Sequence, residues 1–213
     1  ALGADLLEGE FVEHATPEYV DEMHSALTSN EIDSLAKSRP DVWNSVAEQV
    51  ARVVLKELEE LNRDRLSLLR FLFENEVLVT TVCDWTREHA QEAFLQLRRY
   101  VSILYLKQNR LEERRKLGEA ALAVARHLNR GEDEAWILMD DIGWSLGASN
   151  FREEGRAAIL LALEKYNADY GSWMYSKAWR HLAAIDIFEK RLDRAFILLV
   201  LCFALARRAP SMH

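Results

Sequence analysis

Amphipathic segments separated by breaks of only a few residues follow one another from residue 85 to residue 207. Within each segment the apolar side chains recur every three or four residues, which is the spacing of one face of an α-helix. Because the breaks are short, the pattern predicts three helical hairpins in a row. The helices are expected over 85–107, 111–129, 134–147, 151–167, 172–189 and 192–207.

The scarcity of turn-forming residues supports an all-α fold. The 213 residues include only 8 Gly and 3 Pro, whereas sheet proteins need a turn every ~8–12 residues. The sequence shows neither a long uncharged apolar run nor a signal peptide, so a cytoplasmic protein without membrane spans is expected. Cys83 and Cys202 each stand alone in an apolar stretch, and we predict buried thiols, not a disulfide or a zinc site.

The N-terminal part differs from the rest in charge. Residues 1–60 hold 14 acidic and 4 basic side chains, whereas residues 87–130 hold 10 basic and 5 acidic ones. Apolar spacing predicts two short helices and then an antiparallel pair of longer ones that ends near residue 79. The run Val77–Val82 has the propensity of a short strand but no second strand to pair with, so a helix end and loop is preferred. We predict that residues 1–84 form an acidic helical segment that packs on the repeats.

The hairpins repeat with a nearly constant period. Equivalent positions in the second helices, at Ala121, Ala162 and Cys202, are 41 and then 40 residues apart. In the first helices, Met139-x-x-Ile142-Gly143-x-x-Leu146 and Trp179-x-x-Leu182-Ala183 follow the pattern W-x2-L-G-x2-Y. This resembles the tetratricopeptide repeat (TPR) in degenerate form, although the period exceeds 34 residues and the terminal Pro is missing.

The TPR resemblance implies a right-handed α-solenoid of antiparallel helix hairpins, with about ten helices in all. Residues 85–208 would supply three degenerate TPR-like hairpins. A second resemblance is to the repeat region of bacterial STAND-type signalling ATPases. It rests on Glu60-x-Asn62, Trp85 and the segment Asn109–Arg114, and the sequence has no Walker motif.

In TPR proteins ligands lie in the concave groove lined by the first helix of each hairpin, so the resemblance implies a peptide-binding groove. Its cations and aromatic rings would suit an extended or helical peptide with an acidic end. Ile103 and Ala184 stand where the family's carboxylate clamp has asparagines, which leaves such a clamp incomplete. The groove residues are expected to be Arg99, Lys107, Asp140, Trp144, Lys177, Arg180 and Phe188.

These expectations describe a non-enzymatic scaffold that binds a peptide or protein partner, as an adaptor or as the sensor module of a regulatory protein. The sequence lacks HExxH, GxSxG and Gly-rich phosphate motifs, so neither a catalytic site nor a cofactor is expected. Asp21-x-x-His24 is a single acid–His pair, whereas di-metal helical bundles need two, so no metal site is expected either. His127 and His181 are interpreted as core or rim residues.

The basic run Arg110–Lys116 is the candidate for contact with phosphate. Glu side chains alternate with its basic residues at helical pair spacing, so the run is interpreted as a solvated, ion-paired face. Phosphate recognition needs a sustained basic surface, and the chain has a net charge of −8. Nucleic-acid binding is therefore not expected.

The last helix favours an alternative function. From Phe196 to Leu205 it is almost wholly apolar, whereas the terminal helix of a solenoid should expose a polar face. A further repeat, a second chain or the N-terminal helices must cover it. The alternative is a structural, self-associating element that forms a homodimer through this helix.

Overall fold

The computed structural model describes residues 40–165 and 172–206, with side chains from 44 to 165 and from 174 to 204. Within these ranges all regular structure is helical and no strand occurs, which confirms the all-α prediction. The short helices predicted before residue 40 lie outside the described residues. In chain order the helices are α1 (Pro40–Leu61), α2 (Arg65–Glu74), α3 (Glu76–His89), α4 (Gln91–Lys107), α5 (Leu111–His127), α6 (Gly131–Trp136), a π-helix (Ile137–Trp144), α7 (Ser145–Ala148), α8 (Arg152–Lys165), α9 (Ser172–Phe188) and α10 (Leu192–Ala206).

The packing divides the chain into two compact units, residues 1–104 and 105–213. In the first unit α1 packs against α2 and α3. The buried stripe of α1 consists of residues three or four apart, as the sequence predicts: Ala47, Val50, Ala51, Val54 and Leu58. The predicted division into 1–84 and 85–208 stays a prediction.

The run Val77–Val82 is wrongly predicted as a helix end and loop, because it lies inside α3. Val79, Val82 and Cys83 are buried at helical spacing, and Thr86 continues the stripe one turn later. Burial of this face in the first unit therefore outweighs the β propensity of the individual residues.

The helix predicted over 85–107 is also wrong in its bounds, since the chain breaks at Ala90. Ala90 has φ −148° and ψ 70°, and its N–H donates to the carbonyl of Thr86 at 2.8 Å. Trp85 accordingly belongs to the end of α3, where its Nε1 donates to Asn44 Oδ1 of α1 at 3.0 Å. The tryptophan thus anchors α3 on α1.

In the second unit the helices from α5 to α10 lie close to the predicted spans. The π-helix packs against both α5 and α8, and α10 packs against α9. A buried ion cluster joins α8 to α9, because Arg156 Nη2 lies 2.6 Å from Asp186 Oδ1 and 2.8 Å from Glu189 Oε2. These contacts hold α9 in place beside α8.

Three of the turns use the same backbone motif. Asn109, Asn129 and Lys190 have φ of 58°, 53° and 60°, in the left-handed region. After each of them the next N–H donates 2.8 Å back to a carbonyl five residues earlier, as in Arg110 to Tyr105. This is the Schellman ending of a helix, which explains how breaks of so few residues can reverse the chain.

Lys190→Gly is expected to raise the free energy of unfolding by about 1 kcal/mol, because a lysine pays a steric penalty in the left-handed region that glycine avoids. Urea denaturation followed by circular dichroism measures the change. The matched control is Lys116→Gly inside α5, which we expect to cost about 1 kcal/mol. Equal destabilisation by both variants would contradict the prediction.

Candidate functional site

The middle of the helix between Gly131 and Ala148 is a π-helix over Ile137–Trp144. Such segments have i→i+5 backbone bonds and are rare, and they are frequent at functional sites. A glycine allows this π-helix to pack closely against α8. A Cβ on Gly143 would lie 2.7 Å from Ile159 Cγ1 of α8, so the missing side chain lets the two helices approach.

The π-helix places Asp140 at the centre of a buried charged cluster. Arg114, from α5, donates from Nη2 to Asp140 Oδ2 at 2.7 Å and from Nη1 to the Asp140 carbonyl at 2.8 Å. From α9, Lys177 Nζ and His181 Nε2 both approach Asp140 Oδ1, at 2.9 and 3.0 Å. One carboxylate therefore joins three helical elements of the second unit.

A second carboxylate lies beside the first. Asp141 is fully buried, and its Oδ1 lies 3.4 Å from Arg114 Nη2. Arg114 itself is 1% exposed and bridges the two aspartates. With Lys177 the cluster contains two formal positive and two formal negative charges, so its members compensate one another in the protein interior.

The surroundings of the cluster lower the pKa values of Asp140, Lys177 and His181. Burial would raise the pKa of Asp140, but the hydrogen bond from His181 and the charges of Arg114 and Lys177 outweigh burial and hold that pKa below its usual range. Burial lowers the pKa of His181 and of Lys177, and Asp140 offsets only part of this effect. Burial therefore favours the neutral form of His181, whose Nε2–H would donate to the ionised Asp140.

Two tryptophans flank the cluster. The ring of Trp144 stacks on His181, with centroids 4.8 Å apart and planes 26° apart. Lys177 Nζ lies 3.8 Å from the centroid of the Trp136 ring, which is a cation–π contact. Both tryptophans are half-buried, so each presents part of an aromatic surface beside the charges.

Among the predicted groove residues, the structure brings Asp140, Trp144 and Lys177 together. Arg180 and Phe188 are exposed on α9, and the guanidinium carbon of Arg152 lies 5.9 Å from the centroid of the Phe188 ring. These residues all belong to the second unit. Their assignment to a peptide groove stays a prediction.

The two remaining groove residues lie on α4. Arg99 is exposed and belongs to the first unit. Lys107 is exposed at the end of the same helix and is counted with the second unit. Arg99 and the Asp140 cluster therefore belong to different units, and the role of Arg99 in the groove also stays a prediction.

The interpretation of the basic run as a solvated face is correct for most of its residues. Arg110 pairs with Glu113, Arg115 pairs with Glu112 and Glu119, and Lys116 pairs with Glu112. It is wrong for Arg114, which is buried against Asp140. Helical spacing could have indicated that Arg114 is buried, since it shares a face with Gly118, Ala121 and Ala125, which are all buried.

The sequence did not indicate that Trp136 and His181 belong to this cluster. His181 was expected in the core or at a rim and is half-buried, whereas His127, interpreted in the same way, is exposed. Asp140, the partner of His181 and Lys177, precedes them by 41 and 37 residues, close to one predicted repeat period. Equivalent places in consecutive hairpins could have suggested the pairing.

Over residues 40–165 and 172–206, no three His, Cys, Asp or Glu side chains are grouped to hold a metal ion. Asp21 and His24 lie outside the described residues. No described helix combines the length and apolar character needed to cross a membrane. No known family model, curated protein or solved structure matches the chain.

Proposed function

We propose that the chain is a helical-repeat scaffold that binds a peptide or protein partner, as an adaptor or as the sensor module of a regulatory protein. Its hairpins would stack as an antiparallel α-solenoid, with the first helix of each hairpin lining a groove. One observation carries the proposal. Side chains from the first helices of two consecutive predicted hairpins meet in one partly accessible cluster. Trp136 and Trp144 come from the earlier hairpin, and they contact Lys177 and His181 of the later one.

The face of α9 that carries the cluster continues beyond it. Lys177, His181 and Phe188 follow one another at steps of four and seven residues, and Arg180 lies beside His181 on the same face. The face therefore offers a cation, a stacked ring pair and an exposed aromatic ring over about three helical turns. Short peptides that bind helical surfaces are recognised through anchors of this kind.

The charges in the cluster indicate which groups a partner would contact. The ammonium of Lys177 is already bound to Asp140 and to the Trp136 ring. Arg180 is exposed, and no carboxylate of the described residues forms a salt bridge with it. The partner is therefore proposed to present an acidic side chain or carboxyl terminus to Arg180, with an apolar side chain on Trp144.

Selection from a random peptide library displayed on phage, followed by calorimetry with the selected peptides, tests the proposal. We expect acidic peptides that contain an apolar or aromatic anchor. Arg180→Ala and Trp144→Ala should each weaken the binding of a selected peptide about tenfold or more, the effect of removing a central contact.

The matched controls are Lys116→Ala and Phe151→Ala, which remove an exposed cation and an exposed aromatic ring elsewhere on the second unit. They should leave the dissociation constant unchanged. Selected peptides whose binding is insensitive to Arg180 and Trp144 would overturn the proposed groove, and a library that yields no binder would overturn peptide recognition itself.

A further inference from the structure

A row of four large apolar side chains is exposed along α10. Leu192, Phe196, Leu199 and Phe203 are 63%, 69%, 44% and 65% exposed. They follow one another at steps of four, three and four residues, which is the spacing of a coiled-coil seam. Ala195 and Cys202, on another face of the helix, are buried.

Beyond its first turn α10 has no polar side that could face water. From Ala195 to Ala206 the sequence contains no charged residue. Val200 is exposed beside the seam, and Ile197 and Leu201 are exposed on the opposite side of the helix. By contrast, the outer face of α5 carries the ion-paired residues Arg115 and Glu119. Contiguous exposed apolar surface of this kind marks an interaction site.

We propose that a second copy of this chain covers the seam, with the two α10 helices antiparallel about a two-fold axis. The spacings between the four seam residues are four, three and four, so the order of the spacings is the same in both chain directions. In the antiparallel pair Phe196 faces Leu199 of the partner subunit, and Leu192 faces Phe203 of the partner subunit. In every contact a phenylalanine ring of one chain packs against a leucine of the other, so the surface is complementary to a second copy of itself.

The size of the surface fits a dimer of this kind. The four seam residues and Val200 together expose roughly 500 Å² per chain, when a large apolar or aromatic side chain is taken as 150–250 Å². Two such faces bury roughly 1,000 Å², which reaches the lower bound for a specific interface. The helix dipoles of the antiparallel pair also oppose each other favourably.

Light scattering coupled to size-exclusion chromatography of the whole chain tests the proposal. At about 100 μM, well above micromolar dissociation constants, we expect a dimer. Phe196→Glu places a charge in the seam of both copies and should weaken dimerisation about 100-fold or more. Phe151→Glu, at a ring that is 55% exposed outside α10, should leave the dimer intact.

Cysteine crosslinking gives a second measurement that does not depend on a charged variant folding. Phe196→Cys and Leu199→Cys chains, mixed and oxidised, should form a disulfide between unlike chains, whereas either chain alone should crosslink poorly. Crosslinking of each chain with itself would contradict the antiparallel arrangement. The native thiols of Cys83 and Cys202 are buried and should not interfere.

If the whole chain is monomeric at this concentration, the proposal is overturned. The seam of α10 would then be covered by another part of the chain or by a different protein. A dimer that survives Phe196→Glu would overturn the seam as its interface. Neither result bears on the groove, since the seam residues lie on α10 and the groove residues of the second unit on other helices. Arg180→Ala should leave the oligomeric state unchanged.

Discussion

Replacing Arg114 by methionine is expected to lower the free energy of unfolding by about 3–5 kcal/mol, the cost of removing one partner of a buried ion pair. The guanidinium bridges Asp140 and Asp141 and also satisfies the Asp140 carbonyl. Methionine fills a similar volume but leaves two buried carboxylates facing a single lysine. Thermal and urea denaturation, monitored by circular dichroism, measure the loss.

The neighbouring Arg115 supplies the control. It forms salt bridges with Glu112 and Glu119 at the surface of α5, and Arg115→Met should cost at most about 1 kcal/mol because solvent screens such pairs. Adding Asp141→Asn to Arg114→Met should recover part of the lost stability, since it removes one uncompensated charge. If Arg114→Met and Arg115→Met lowered the free energy of unfolding equally, the buried cluster would stabilise the fold no more than a surface ion pair does.

The helical part of the fold was predictable because it depends on local spacing. Helices α5, α8 and α9 bury residues three and four apart, and two of the breaks carry Asn109 and Asn129, a residue type that tolerates the left-handed turn. The spans of α8, α9 and α10 were predicted to within two residues. The stacking of these helices as a solenoid stays a proposal, because it depends on contacts that no single segment encodes.

The errors fall where a tertiary contact decides the local structure. The run Val77–Val82 is helical because α3 buries its face in the first unit, not because its residues favour helix. The helix predicted over 134–147 is present, but its π-helical middle was not predicted, because Ile137–Gly143 are all buried and even Asp140 and Asp141 do not mark a solvent-facing side. Sequence spacing fails when nearly every position faces the core.

The cluster shows the same division between what was and was not predictable. Asp140, Trp144 and Lys177 were predicted as groove residues from their positions in the predicted repeat. Arg114 was missed because its charged neighbours Arg115 and Lys116 suggested a surface role for the whole run. A buried arginine becomes evident only when its carboxylate partner, 26 residues away, is placed beside it.

Close helix contact at glycine leads to the second large expected effect. Gly155→Ala should lower the free energy of unfolding by about 3 kcal/mol or more. Its Cβ would lie 2.4 Å from the backbone nitrogen of Gly147 and 2.7 Å from the carbonyl oxygen of Gly143. Backbone atoms cannot rotate away as a side chain can, so α8 must move off the π-helix.

Gly131→Ala is the matched control, because the same methyl group at the start of α6 would meet no atom within 4 Å. It should raise stability by about 0.5 kcal/mol, since alanine loses less backbone freedom than glycine on folding. Urea denaturation of both variants gives the comparison. Gly155→Ala should also alter the near-ultraviolet circular dichroism of the tryptophans, because α8 supports the helix that carries Trp136 and Trp144. If both variants matched the parent in stability, the close packing of α8 on the π-helix would be wrong, and with it the support for the position of Asp140.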